Sequence, residues 1–357
     1  MPLYPLKFVP RFVEKLWGGR KIETFLGKPL PPGKPVGESW ELYDFPPGVV
    51  GDSARWISSP IANGPLAGRS LHSVVQEFGR ELMGDVPTVG PHGQFPLLVK
   101  FLDAREDLSV QVHPDSAYAS EHPEAHLKTE AWYIMAHDPG ARLFKGLQPG
   151  VTRDSLRAAI EDGTVEAHLK SVSVRVGQCH YLPSGTLHAL GAGILAAEVQ
   201  TPSDTTFRVY DFQRIDPSTG RERTLHVEQA MQCINFEVDT LEAASSNFLA
   251  ESRASRVTPL VSSPYFNLAG RHLATGQEAT IAAGRPQVWI MIEGHATVHG
   301  QGTNESTPLS RGETLLVPAA LGTAAVKAAR DCAWLEVTFP AATHSDSSSA
   351  HAQATAD

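Results

Sequence analysis

Three short segments of this 357-residue chain carry side chains whose types and spacing suit metal and acid–base chemistry. In Leu108-Ser109-Val110-Gln111-Val112-His113-Pro114-Asp115, apolar and polar residues alternate. Alternate residues of a strand face opposite sides, so Leu108, Val110 and Val112 share one face while Ser109, Gln111 and His113 share the other. An apolar outer face and a polar inner face fit a barrel that encloses a site. Gln111 and His113, two apart, could then ligate one metal ion; the plainer reading is a strand whose polar face meets water. In Lys128-Thr129-Glu130-Ala131-Trp132-Tyr133, Glu130 heads an aromatic, β-prone run, where an acid is ordinarily a solvated strand edge. The third segment runs from Gly177 through Pro183 and Gly185 to His188. Here Gly and Pro set a backbone corner, and the strand that follows aims His188 inward.

Glycine, five residues, proline, one residue, glycine, two residues, histidine resembles the second signature motif of the cupin superfamily. Gln111, His113, Glu130 and His188 together supply two imidazoles and two oxygen ligands, a set that suits Zn²⁺ and also admits Fe²⁺, Mn²⁺ or Co²⁺. The other histidines lack comparable context, with His180, inside the motif, the exception to watch. Downstream, Glu198 and Gln200 share one strand face, as do Asp204, Thr206 and Arg208 if that segment is extended. Acids and an arginine among apolar neighbours point to an interior site, because buried charges are costly unless paired or used; a structural salt bridge to Arg208 is the alternative. Lys100, in the middle of Pro96-Leu97-Leu98-Val99-Lys100-Phe101-Leu102, either snorkels outward or faces an anion inside the barrel.

These segments need elements to hold them. Thirty glycines and 27 prolines cut the chain into short pieces, the texture of a strand-and-turn protein. Helical spacing appears over Leu71 to Met83, from Thr152 to about Gly163, and over about Val227 to Ile234. Glu130-Ala131-Trp132-Tyr133-Ile134-Met135 resembles Gln287-Val288-Trp289-Ile290-Met291-Ile292, and the Gly177 to Pro183 spacing recurs from Gly312 to Pro318. This weak repeat predicts a mainly β fold of two cupin (jelly-roll) β-barrels with helical insertions. Residues 1–235 form the catalytic barrel, with inserts near 70–84 and 152–170; residues 236–340 form a second barrel; and 341–357 form a disordered tail. The second copy has Gln287 at the position of Glu130 and Thr323 at that of His188, so one metal ion per chain is expected.

The net charge of −9, with no Lys/Arg run, disfavours nucleic acid and anionic membranes as partners. No apolar stretch is long enough to span a bilayer, and the start lacks the pattern of a secretory or transit signal. Cys179, Cys233 and Cys332 are odd in number and far apart, which predicts free thiols and a cytoplasmic protein.

In their order along the chain, Glu14 to Gly19, Gly37 to Glu41, Leu108 to Asp115, Lys128 to Glu130, Leu182 to Leu190 and Gln200 to Phe212 resemble the type I mannose-6-phosphate isomerases (phosphomannose isomerases), most closely their short bacterial form. The resemblance implies one Zn²⁺ on Gln111, His113, Glu130 and His188, a catalytic arginine at Arg208, an accompanying Asp204, and Ser109, Lys100 and Lys128 near the substrate. Lys100 and Ser109 are the expected phosphate contacts. The implied reaction interconverts mannose 6-phosphate and fructose 6-phosphate through a cis-enediol. The proton carrier stays open among Glu198, Lys128, Asp204 and a zinc-bound hydroxide. The expected partner is a small sugar phosphate, and the expected state a monomer or weak homo-oligomer. An iron cupin oxygenase and a non-catalytic sugar-phosphate-binding cupin would share much of this residue set.

Overall fold

A computed structural model describes residues 2–50, 54–90, 92–216, 219–237, 244–245, 256–300, 306–322 and 324–341. The expected tail after residue 341 and Thr323 lie outside the described residues.

The chain forms two β-sandwiches, each made of two facing antiparallel sheets that share no strand. In the first, a seven-stranded sheet runs in the spatial order Ala244–Ser245, Gln178–Leu182, Glu130–His137, Ile194–Gln200, Leu98–Ala104, Arg11–Gly19 and Val36–Leu42. Opposite it lies a five-stranded sheet of Leu169–Ser173, Arg142–Leu147, His188–Ala189, Val110–Val112 and Phe207–Tyr210. The second sandwich pairs a six-stranded sheet, containing Gln287–Glu293 and Cys332–Thr338, with a four-stranded one containing His295–Gly300 and Ala324–Ala328. The strand Leu6–Lys7 joins the second sandwich, where Leu6 pairs with Leu316.

The repeat seen in the sequence has a packing cause. Trp132 and Ile134 point into the first sandwich, while Ala131, Tyr133 and Met135 point outward into a core shared by both halves. Trp289 and Met291 likewise fill the second sandwich, and Val288, Ile290 and Ile292 enter the same shared core. With both faces covered, these strands read as near-continuous apolar runs instead of alternating ones. Gly177 and Pro183 do not form one corner: they bracket the strand Gln178–Leu182, and the turn that delivers His188 follows at Gly185, whose φ is 84°.

The three expected helices are present. Leu71–Met83 is capped by Ser70, interrupted at Gly79 (φ 39°), and buries Leu71, Val74, Val75 and Leu82 in the shared core. Arg153–Asp162 begins with a reciprocal Thr152–Ser155 cap and ends on left-handed Gly163. Together with Val227–Cys233 it covers the outer face of the five-stranded sheet, burying Leu156, Ala230 and Met231 against Val110, Val112 and Val209. The three cysteines are unpaired. Among the described residues no helix is long and apolar enough to cross a membrane.

Candidate active site

The two sheets of the first sandwich bring the sequence candidates together because their inward faces meet. On the five-stranded sheet, Gln111 pairs directly with His188 on one side and with Arg208 on the other. His113 follows Gln111 by two, and the turn residue Gly185 donates its N–H to the His113 carbonyl at 3.0 Å. From the facing sheet, Glu130 opposes Gln200 and Glu198 opposes both Lys100 and Trp132.

His113, Glu130 and His188 place ligand atoms within 4.8 Å of one another, all buried. Each imidazole is fixed by its Nδ1, which lies 3.0 Å from the Thr205 carbonyl in His113 and 2.8 Å from the Thr186 carbonyl in His188. A ring that donates from Nδ1 presents a lone pair at Nε2. These Nε2 atoms lie 3.5 Å and 3.0 Å from the Glu130 oxygens; neither nitrogen has a hydrogen-bond donor, and the cation beside the carboxylate is Lys128, 2.9 Å from one oxygen. Acceptors converging on acceptors in a buried pocket are repulsive unless a cation lies between them. Burial, aided by the Lys128 charge, drives the His113 pKa down to about 3, which keeps the ring in its ligating form. Burial would raise Glu130, but Lys128, 2.9 Å away, together with His113 and His188, outweighs it and holds the carboxyl well below its ordinary value. The residues therefore fit a divalent metal. Gln111, whose side-chain oxygen lies 3.4 Å from the Ser109 hydroxyl, borders the same cavity as Glu130 and offers the fourth donor.

That cavity is about 230 Å³ and is lined by Lys100, Ser109, Gln111, Lys128, Glu130, Glu198, Asp204 and Arg208, with His113 and His188 behind Glu130. Lys100 faces inward, 4% exposed, with Nζ 3.7 Å from Glu198. Burial alone would lower its pKa, yet Glu198, Glu38 and Asp204 raise it, so the ammonium persists. Glu198 shifts upward because burial exceeds the attraction of Lys100. Arg208 donates to the Thr224 carbonyl at 3.0 Å, and its Nε is buried and unpartnered.

Three further charged groups line this cavity that sequence reasoning gave no role: Lys15, Glu38 and Arg223. Glu38 accepts from the Trp40 indole at 2.6 Å and pairs with Lys15 at 3.1 Å. Burial pushes its pKa up, but Lys15 and Lys100 prevail and hold it at about 2. Glu14-Lys15 and Gly37-Glu38 stand in motifs that carried the family resemblance, the one signal available for them; Arg223 had none.

In the second sandwich the equivalent of Glu130 is occupied otherwise. Gln287 accepts from the Trp289 indole at 3.0 Å and donates to the Ala282 carbonyl at 3.3 Å. The space beside it is about 20 Å³.

Fold and site define a cupin with a buried acceptor cluster opening onto a cation-rich cavity, the equipment of a metal-assisted enzyme acting on a small anion. Residues 6–141 match the family model for the phosphomannose isomerase type I catalytic domain. A probable mannose-6-phosphate isomerase of Bacillus subtilis is 39% identical over 267 residues, 74% of this chain and 78% of that protein. Another mannose-6-phosphate isomerase of Bacillus subtilis is 34% identical over 337 residues, 93% of this chain and 98% of that protein. The crystal structure of a mannose 6-phosphate isomerase from Bacillus subtilis superposes with a TM-score of 0.78 at 30% identity, covering 94% of this chain and 99% of that one. The chain belongs to the type I phosphomannose isomerases. That membership sets aside the oxygenase and the non-catalytic binder.

Proposed function

We propose that this chain interconverts mannose 6-phosphate and fructose 6-phosphate through a cis-enediol, with one Zn²⁺ held by Gln111, His113, Glu130 and His188. The observation that carries the reading is the convergence of two imidazole nitrogens without donors and the Glu130 carboxylate within 4.8 Å, beside a cavity rich in lysine and arginine. Catalysis belongs to residues 1–235; residues 236–340 serve as a ligand-free second half, supported by the engagement of Gln287 with Trp289.

The difficult step is removal of the C2 proton of the open-chain aldose, which leaves negative charge on an oxygen next to the new carbanion. When bound, the divalent ion would supply a Lewis acid that polarises the sugar's carbonyl. Glu198 takes the proton from C2 and returns it at C1: its Oε1 is buried, lacks a hydrogen-bond partner, and borders the cavity. Lys100, beside it, orients the carboxyl. Arg208 turns its guanidinium toward the oxygen that becomes anionic, a task suited to a permanently charged planar donor. Asp204, an exposed residue before the strand that carries Arg208, also lines the cavity and would bond the sugar hydroxyls. Lys128 holds Glu130 in its ligating orientation. Trp17, Leu102, Leu108 and Trp132 supply the apolar part of the lining that limits water.

A cytoplasmic setting accords with the three unpaired thiols, and the working unit is a monomer or weak homo-oligomer. The decisive assay couples product formation from mannose 6-phosphate and from glucose 6-phosphate, run before and after chelation and with Zn²⁺ returned. Turnover of the mannose ester alone, lost on chelation and restored by Zn²⁺, is expected. Binding of the ester by metal-replete protein with no turnover would sink the reading.

A further inference from the structure

We propose that Gln200 is a positioning residue of the metal centre: its side-chain amide braces the chain where it crosses between the two sheets of the first sandwich, and so fixes the Thr205 carbonyl that orients His113. The inference rests on the isomerase reading above and adds the part of the fold that aims one of its ligands.

The two imidazoles of the cluster are held by different means. The carbonyl that meets Nδ1 of His188 belongs to Thr186, two residues earlier on the same turn. The one that meets Nδ1 of His113 belongs to Thr205, 92 residues away, and His113 itself lies just past the end of the strand Val110–Val112. A local turn fixes the first ring, whereas only tertiary structure can fix the second. The direction of the His113 lone pair therefore depends on where Thr205 is held.

Thr205 has no strand pairing to hold it. The strands Ile194–Gln200 and Phe207–Tyr210 belong to opposite sheets, and residues 201–206 between them are irregular. A buried stretch outside regular structure needs side-chain partners for its backbone groups. Gln200, fully buried, supplies them: its Nε2 donates to the carbonyls of Thr201 at 2.8 Å and Ser203 at 2.7 Å. Two amide hydrogens are thus matched to two carbonyls, while Oε1 has no hydrogen-bond partner among the described residues, so the nitrogen carries the role.

Ser203, also fully buried, passes the restraint on. Its hydroxyl donates to the His126 carbonyl at 2.9 Å and accepts from the Thr205 N–H at 3.2 Å, while Thr205 Oγ1 accepts from the His126 N–H at 3.0 Å. Gln200 is also the register partner of Glu130, so the brace starts level with one ligand and ends on another.

Methionine has nearly the length of glutamine and no N–H to donate. The test measures the zinc dissociation constant of wild type, Gln200→Met, Ser203→Ala and Ser70→Ala by competition with a chromophoric chelator, together with the melting temperature of each metal-free protein and the visible spectrum of each Co²⁺-loaded one. Ser70→Ala is the control: it removes the cap of the helix Leu71–Met83 and touches no ligand. For Gln200→Met we expect the zinc dissociation constant to rise about 10- to 100-fold and the Co²⁺ bands to shift. Ser203→Ala moves both in the same direction by less. Ser70→Ala lowers the melting temperature and leaves the zinc constant within about twofold of wild type. A wild-type zinc constant in Gln200→Met overturns the proposal, and so does an equal loss of affinity in Ser70→Ala, which would make the effect one of general destabilisation. If Gln200→Met does not fold, Ser203→Ala decides by the same measure. A wild-type protein that binds neither zinc nor Co²⁺ would instead refute the metal-dependent isomerase reading, a separate outcome.

Discussion

Replacing Glu130 with glutamine gives a test of the metal centre that needs no activity measurement. The substitution keeps the shape of the side chain and removes its charge. Lys128, 2.9 Å from that carboxylate, then stands beside the bound cation with nothing between them to offset it. A unit charge pair about 4 Å apart is worth ~4 kcal/mol at an effective dielectric of 20, so a loss of about 100-fold in metal affinity is a conservative figure. At a free metal concentration about 100 times the wild-type Kd, binding stabilises the wild-type fold by about 2.7 kcal/mol. Unfolding entropy of about 2.1 cal/mol/K per residue over 357 residues converts this to a rise in melting temperature of about 3.5 °C. Glu130→Gln at the same concentration keeps about 0.4 kcal/mol, or about 0.5 °C. Calorimetry with and without chelator reads both shifts, and Gln287→Ala, the matching position of the second half, should behave as wild type. A Glu130→Gln protein with the full metal-dependent shift, or a Gln287→Ala protein without it, would refute the assignment.

Four other outcomes are expected. Arg208→Ala should lower kcat by about 10²- to 10³-fold with zinc content unchanged; metal analysis showing loss of zinc would mark Arg208 as structural. Metal analysis of the wild-type protein should find one ion per chain, and Gln287→Glu should not add a second, because the space beside that side chain is about 20 Å³. Glu38 has a folded pKa of about 2, below its unfolded value of about 4.5, so its stabilising effect is complete above pH ~4.5 and disappears as the pH falls through about 2. Urea titrations should therefore show the gap between wild type and Glu38→Gln closing over that interval; a constant gap would contradict the Lys15 and Lys100 pairing. Gly84→Ala should destabilise by about 1–3 kcal/mol, since φ is 61° and a new Cβ would meet the Gly284 carbonyl at 2.4 Å. Gly27→Ala, equally left-handed but with open space, is the control and should cost less in the same urea titration.

Much of the architecture was legible because it is local or repeated. The helix over Leu71–Met83 follows from apolar spacing, to which the structure adds the Ser70 cap. The paired runs beginning at Glu130 and Gln287 announced two related halves, since each strand buries both its faces in the same two environments. Gln111 with His113, Glu130, and the Gly177 to His188 spacing were conspicuous for a similar reason: strand alternation and turn chemistry act over a few residues and leave a pattern in one segment.

What sequence alone determined, then, is the class of fold, the donor types at the cluster and the family. Tertiary structure decided which charges face one another. Lys15 and Glu38 enter from the first strands, Lys100 is set opposite Glu198 by sheet register, and Arg223 comes from a distant segment tied to Asp211 and Arg208. Leu6–Lys7 crosses to the second sandwich although it opens the chain. The Lys100–Glu198 and Leu6–Leu316 pairings leave no local trace, because each is fixed by antiparallel register between strands far apart in sequence, while Arg223 is placed by side-chain bonds to Asp211 outside any strand. The acidic overall charge disfavoured large anions as partners, whereas the lysines and arginines gathered around a cavity of about 230 Å³ are a local property that the net charge does not report.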